Sequence, residues 1–294
     1  MLHIGADRMT GMSVEAQDHR RDPAWEPGTG PPSAAELWQS YGPHAARIFA
    51  TGPSPSTTIG ERSFFVVSGA PHVDLNQAGL FGSAGAADAL EIGRLAVQAD
   101  IPVLLARSAG VTPDVEAPLM QAGFERLATS EHLFWMPGTP PRSDLAPFDV
   151  RRMTSPEDVA AMQEMFVDVH DYEPSLTDEL YGSLDPADHD LTCWIAWDGS
   201  EAVSLAFVTY VDSSLGLWEV MTPPRHRRRG AARAVVATAL DEVAKLVGGV
   251  DRTLFWSSPA GRPLYDALGF EIGDTVEVWA RGASETDLAA VGAG

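Results

Sequence analysis

The chain has 294 residues, a formal charge of −21, 45% hydrophobic and 21% charged residues. Its length exceeds one hydrophobic core and predicts two domains of roughly 100 to 150 residues, and its apolar content excludes a disordered chain. Acidity of this size opposes nucleic acid and anionic membranes as partners, while a single cysteine, Cys193, excludes an intrachain disulfide and a multi-cysteine metal site.

Residues 1–32 are rich in Gly, Pro and charge and end in PGTGPP, which predicts a flexible arm. Asp7 and Glu15 interrupt any apolar run there, so neither a leader peptide nor a membrane span is expected, and a cytoplasmic protein is the default reading. Ser33 is placed to cap a helix through Leu37 and Trp38, which Gly42 and Pro43 should break or kink. Short apolar runs at 63–68 and 73–80 read as strands. A helix over 86–97, a strand over 102–107, a helix over 113–122 and an extended segment over 124–136 follow. The Pro-rich stretch 137–147 reads as a linker, which places one α/β domain at 33–140, a second at 148–283 and a tail at 284–294.

The second half opens with a strand, FDVRRM, and a helix capped by Thr154 or Ser155, with Pro156 early and Glu157 and Asp158 in its first turn. A second helix near 176–184 precedes three strand-like runs at 192–197, 202–211 and 215–222, joined by WDGSE and VDSS turns. Residues 231–247 form an amphipathic helix with Val236, Leu240, Val243 and Val247 on one face. The strand TLFWSS, a helix over 261–268 and a strand over 272–280 complete the order.

The run TPPRHRRRGAARA, 222–234, lies where a strand ends and that helix begins. A helix start offers about four unpaired N–H groups and roughly half a positive charge, a setting that attracts phosphate. Gly230, Ala231 and Ala232 lack bulk that would hold an anion away, and Arg227, Arg228 and Arg229 add fixed charge. A solvated basic helix cap is the bland alternative.

This run resembles the acyl-CoA loop of the GNAT (GCN5-related N-acetyltransferase) superfamily, Arg/Gln-x-x-Gly-x-Gly/Ala, with the family's usual Pro at Pro224. Downstream, SSPAGRPLYDALGFE (257–271) resembles the family segment in which a Tyr-bearing helix precedes Leu-Gly-Phe, with Ser257 or Ser258 where the family often has Asn. The resemblance implies an α/β (α+β) fold of two tandem GNAT-like domains, each a mixed, mostly antiparallel central sheet flanked by helices. It implies acetyl-CoA as cosubstrate, no metal, and a small-molecule amine as acceptor. It also places Val220, Met221, Thr222, Arg227, Arg228, Arg229, Gly230, Ala231, Ala232, Ser258 and Tyr265 at the CoA site, with an N–H near Met221 or Thr222 facing the thioester carbonyl.

Tyr265 is then the general acid, since a phenol is neutral at pH 7 and can donate to a departing thiolate. For the base, Glu219 is the best-placed carboxylate, and Asp168, His170, Asp171 and Glu173 form a second polar cluster. An acyl-CoA-binding module without turnover, another acyl donor, or an alcohol acceptor remain open readings.

Overlaying Gly123-Phe124-Glu125 on Gly269-Phe270-Glu271 brings Gly85-Ala86-Ala87 close to Gly230-Ala231-Ala232. This internal repeat implies that the first half is a degenerate copy, with Gly82, Ser83 and Ala84 in place of the arginines and Leu119 in place of Tyr265. Such a copy is expected to bind no CoA and to wall one side of the acceptor cleft, with 64–67 and 133–136 as contact strands. Gly79, Gly82 and Gly85 lack the acidic partner that a dinucleotide site needs.

Overall fold

The computed structural model describes residues 31–142, 146–182, 184–185 and 187–284. The arm expected over 1–32, apart from its last two residues, and the tail beyond 284 lie outside them.

Helix α1 (Ala34–Phe49) starts at a full capping box, in which Ser33 and Glu36 satisfy each other's backbone N–H groups. Contrary to expectation, it runs unbroken through Pro43. A mid-helix proline costs about 3 kcal/mol, but Leu37, Trp38, Tyr41, Ala45, Ile48 and Phe49 are all buried by the continuous helix, each large side chain among them worth about 1.5 to 3 kcal/mol. Burial wins.

The first half continues with β1 (Ser56–Ile59), which was not expected, then β2 (Ser63–Val67), β3 (Asn76–Leu80), α2 (Ala86–Ala99), β4 (Val103–Ser108), α3 (Glu116–Gln121) and β5 (Phe124–Pro137). The run expected as strand from 73 begins instead with a 3-10 turn, Val73–Leu75. The second half holds β6 (Asp149–Arg152), α4 (Pro156–His170), α5 (Pro174–Tyr181), β7 (Leu191–Asp198), β8 (Glu201–Val211), β9 (Ser214–Met221), α6 (Ala231–Leu246), β10 (Arg252–Ser257), α7 (Arg262–Leu268) and β11 (Glu271–Arg281).

All eleven strands form one sheet in the order β1-β2-β3-β4-β11-β5-β10-β9-β8-β7-β6. The two halves repeat one topology. In the first, β2 runs antiparallel to β1 and β3, and β3 pairs in parallel with β4 across α2. In the second, β8 runs antiparallel to β7 and β9, and β9 pairs in parallel with β10 across α6.

The halves exchange their last strands. β5 pairs with β10 and β11, and β11 pairs with β4 and β5. Residues 133–136 therefore make the contact expected of them by strand pairing, whereas β2 pairs with no strand of the second half among the described residues, β3 and β4 lying between it and β11, and meets that half through the shared core that Phe64 and Val66 join.

Alternation along each strand assigns side chains to two faces. Phe64, Val66, Leu205 and Phe207 join one core that spans both halves under α1, α4 and α5. On the other face, Phe65 and Val67 pack with α2 and α3, while Ala206 and Val208 pack with α6 and α7. Val236, Leu240 and Val243 are buried there, as their spacing predicts.

Helix α1 fastens the halves together. Trp38 donates its indole N–H to Asp274 Oδ2 at 2.8 Å. His44 places Nδ1 2.8 Å from Thr209 Oγ1 and Nε2 2.9 Å from Ser214 Oγ. Ser214 spends its own proton on the Val211 carbonyl at 2.7 Å, so Nε2 donates and Nδ1 accepts.

Candidate active site

Strands β9 and β10 pair only from Arg252↔Ser214 to Leu254↔Gly216, and then diverge. A bulge in β9 accompanies the split. Between the pairs Phe207↔Trp218 and Leu205↔Met221, two steps on β8 face three on β9, and Glu219 takes a φ of +48°. One extra residue twists the strand away from its neighbour and re-aims the side chain it carries.

The gap opens into a cavity of about 250 Å³ lined by Glu219, Val220 and Met221 from β9, Ser257 and Ser258 at the end of β10, and Tyr265 from α7. His170, the last residue of α4, reaches it too. The first half contributes Tyr41, Asp74, Gln77 and Glu131. These four had no local signal, because they reach the cavity only through α1, the turn before β3, β3 itself and the exchanged strand β5.

Burial, followed by the charge of Asp74, pushes the Glu219 carboxyl up to about 8. Its side chain is 15% exposed and Oε2 lies 3.8 Å from His170 Nε2. Burial, then His72, pushes His170 down to about 4. Both shifts favour uncharged forms, so the two groups meet as neutral partners. Of the other polar residues expected near here, Asp168 pairs with Arg225, Asp171 closes α4 in a left-handed conformation, and Glu173 precedes α5 without a side-chain capping bond.

Tyr265 is buried against Phe255, Phe134 and Phe270, with ring centroids at 4.3, 5.3 and 6.1 Å. Burial pushes its phenol up to about 12 against the opposing hydrogen bond with Ser257. A Cβ at Gly261 would lie 2.6 Å from Tyr265 Cε2 and 2.7 Å from Ser257 Oγ, so only glycine lets this turn close over the ring.

Beyond the cavity lining, Thr222 and residues 227–232 form the loop into α6. Arg227 Nε donates to the Thr222 carbonyl at 3.1 Å. Arg228 and Gly230 have φ of +64° and +87°, and the N–H groups of Arg228 and of residues 230–233 have no acceptor among the described residues. Arg229 turns away to pair with Asp198, with its guanidinium carbon 6.0 Å from the Phe148 ring. Arg228 alone of the three makes no hydrogen bond or ion pair among the described residues. A bare helix start beside an uncommitted guanidinium fits the diphosphate of CoA.

The matching place in the first half is already filled. Gly85 N–H donates to Asp88 Oδ2 at 2.9 Å and Ala86 N–H to Asp114 Oδ2 at 3.1 Å. Two carboxylates occupy that helix start, and Leu119, four residues before Gly123, is buried.

Splayed parallel strands, a helix start with unpaired N–H groups and a buried Tyr on the next helix are the features that the resemblance to the GNAT fold led us to expect. Residues 159–270 match the model of the Acetyltransferase (GNAT) family. Solved structures share the fold across both halves. A GCN5-related N-acetyltransferase from Kribbella flavida is 16% identical over 85% of this chain and 96% of that one, with a TM-score of 0.61. A GCN5-related N-acetyltransferase from Sphaerobacter thermophilus is 15% identical over 85% and 93%, with a TM-score of 0.51. A tandem GNAT protein from the clavulanic acid biosynthesis pathway is 13% identical over 87% and 98%, with a TM-score of 0.52. The curated proteins contain no match. Among the described residues, no helix is long and apolar enough to cross a membrane.

Proposed function

We propose that the protein is an acetyl-CoA-dependent N-acetyltransferase acting directly on an amine of a small molecule. The observation that carries this reading is the placement of Glu219 and Tyr265 on one cavity between the splayed strands, next to a helix start whose N–H groups are unpaired among the described residues. Acetyl-CoA supplies the acyl thioester. Gly230, Ala231, Ala232 and Arg228 would hold its diphosphate, with Ser258 beside its path.

Glu219 takes the proton of the attacking amine. A carboxyl raised to about 8 is a stronger base than an ordinary carboxylate and remains partly ionised near neutral pH. Neutral His170 beside it can pass that proton on. Met221 turns its carbonyl toward β8, where Ser204 Oγ donates to it at 2.7 Å. Backbone direction alternates along a strand, so Val220 faces the gap and its N–H can donate to the carbonyl oxygen as charge develops there.

Tyr265 donates to the departing sulfur. A phenol at about 12 is a weaker acid than a thiol near 8.5. Tyr265 therefore stabilises the thiolate by a hydrogen bond, and the proton released by the amine completes the thiol. We further assign the first half as a degenerate copy of the unit, in which Asp88 and Asp114 stand in for the bound anion.

Two measurements test the reading together: release of free thiol from acetyl-CoA over a panel of amines, and calorimetric titration with CoA. Saturable CoA binding and amine-dependent thiol release are expected. Absence of both at millimolar ligand would overturn it.

A further inference from the structure

The cavity has three carboxylates in its wall, Asp74, Glu131 and Glu219, and no lysine or arginine. Only Glu219 lies in the half that carries the GNAT domain. Glu131 projects from the exchanged strand β5 and is 5% exposed. Its polar neighbour is the indole N–H of Trp256, which is buried without a hydrogen-bond partner of good geometry. A buried carboxylate that lacks a cation is strongly unfavourable unless something neutralises it.

The charge of Asp74 acts on both Glu131 and Glu219. The three carboxyl groups thus share one electrostatic site: Asp74 stands 3.8 Å from His72 Nδ1, while burial holds Glu131 and Glu219 toward their neutral forms, and a cationic group entering the cavity favours their ionisation. The aromatic residues Tyr41, Trp218 and Trp256 also line the cavity, and aromatic rings attract organic cations. The side chains do not converge as ligands do around a metal: no group of three His, Cys, Asp or Glu able to hold one occurs among the described residues.

We propose that the acceptor is a small organic dication, whose reacting amine lies at Glu219 and His170 while a second ammonium or amidinium group is held by Asp74 and Glu131 from the first half. The inference rests on the acetyl-transfer reading and adds the acceptor's chemical class. It also explains what the first half contributes, namely the counter-charges that select the substrate. The reaction stays balanced. One N–C bond forms and one C–S bond breaks; the reacting ammonium gives up two protons, the first through Glu219 and His170 to solvent before attack and the second to the thiolate, which leaves as the thiol. The second cationic group takes no part in the chemistry.

The test compares acetyl-CoA thiol release for linear diamines of graded length, monoamines of matched length, amino alcohols and amino acids. Product mass confirms single acetylation, and calorimetry with CoA runs in parallel. Diamines should exceed matched monoamines in kcat/KM by about tenfold or more, the scale on which a buried counter-charge discriminates, and amino acids should be poorest. Glu131→Gln should reduce the diamine-to-monoamine ratio about tenfold, chiefly through KM for the diamine. Asp74→Asn should do the same from a more exposed position and serves if the first variant does not fold. Monoamines or amino acids equal to diamines, with CoA bound and thiol released, would overturn the inference and leave the acetyltransferase reading standing. CoA binding without turnover of any diamine would also overturn it. Loss of both CoA binding and thiol release would remove the parent reading as well.

Discussion

His170 Nε2 and Glu219 Oε2 stand 3.8 Å apart at the wall of the cavity, and burial moves both toward their neutral forms. The carboxyl must ionise to work as a base. We expect kcat/KM to rise with pH through about 8 and to level above it. Glu219→Gln should lower kcat by roughly 10² to 10⁴ and abolish that limb. A pH–rate profile of both proteins checks this, since a limb due to the amine's own ionisation would survive the substitution.

The same carboxyl costs stability in base. Its folded pKa, about 8, exceeds the unfolded value of 4.5, so between these values the folded state binds more protons and loses stability as pH rises. From pH 6 to 9 the loss from Glu219 is roughly 2 to 3 kcal/mol. Urea titrations without ligand should show this decline in the wild type and a flatter profile in Glu219→Gln. Glu131, raised to about 7, should behave alike with a lower midpoint.

His44 has the opposite sign. Burial depresses it to about 3 from 6.5, so the neutral ring stabilises the fold above pH 6.5 and that contribution fades as pH falls toward 3. The advantage of wild type over His44→Gln should shrink by about 2 kcal/mol between pH 7 and pH 5. Thermal unfolding of the two proteins at both pH values measures it. At neutral pH the variant should itself be less stable, because the buried hydroxyls of Thr209 and Ser214 lose their common partner.

Tyr265→Phe keeps the ring that packs on Phe255 and removes the hydroxyl. Turnover should fall by roughly 10² to 10³, the range for one donor to developing charge, while CoA affinity changes little. A steady-state assay with CoA calorimetry distinguishes this from a packing role, which would lower stability and affinity together.

The three loop arginines should differ. Arg228→Ala should weaken CoA binding about tenfold, the effect of one charge-assisted contact of about 1.4 kcal/mol. Arg229→Ala should weaken it less, because Arg229 is spent on Asp198. Arg227→Ala should act through the loop, by freeing the Thr222 carbonyl. Calorimetric titration of the three variants ranks them.

The elements were legible because their causes are local. Ser33 and Ser155 cap their helices through neighbours three residues away, the apolar period of 231–247 repeats every turn, and the Gly230 and Tyr265 segments carry motifs within single stretches of chain. The repeat was also visible, since Gly123 and Gly269 end matching helices with nearly equal φ, +86° and +87°.

Pairing partners were not legible. Nothing within β5 states that it lies beside β10 and not β4, because a strand's edges offer the same N–H and C=O groups to any neighbour. Competition among all strands for those edges placed β5 between β10 and β11 and carried Glu131 into the cavity. Local rules likewise gave Pro43 as a helix breaker, and only burial against the rest of the fold outweighed it. The chain's local chemistry thus settled the elements and the loop that opens α6, whereas long-range packing settled which carboxyl groups line the cavity.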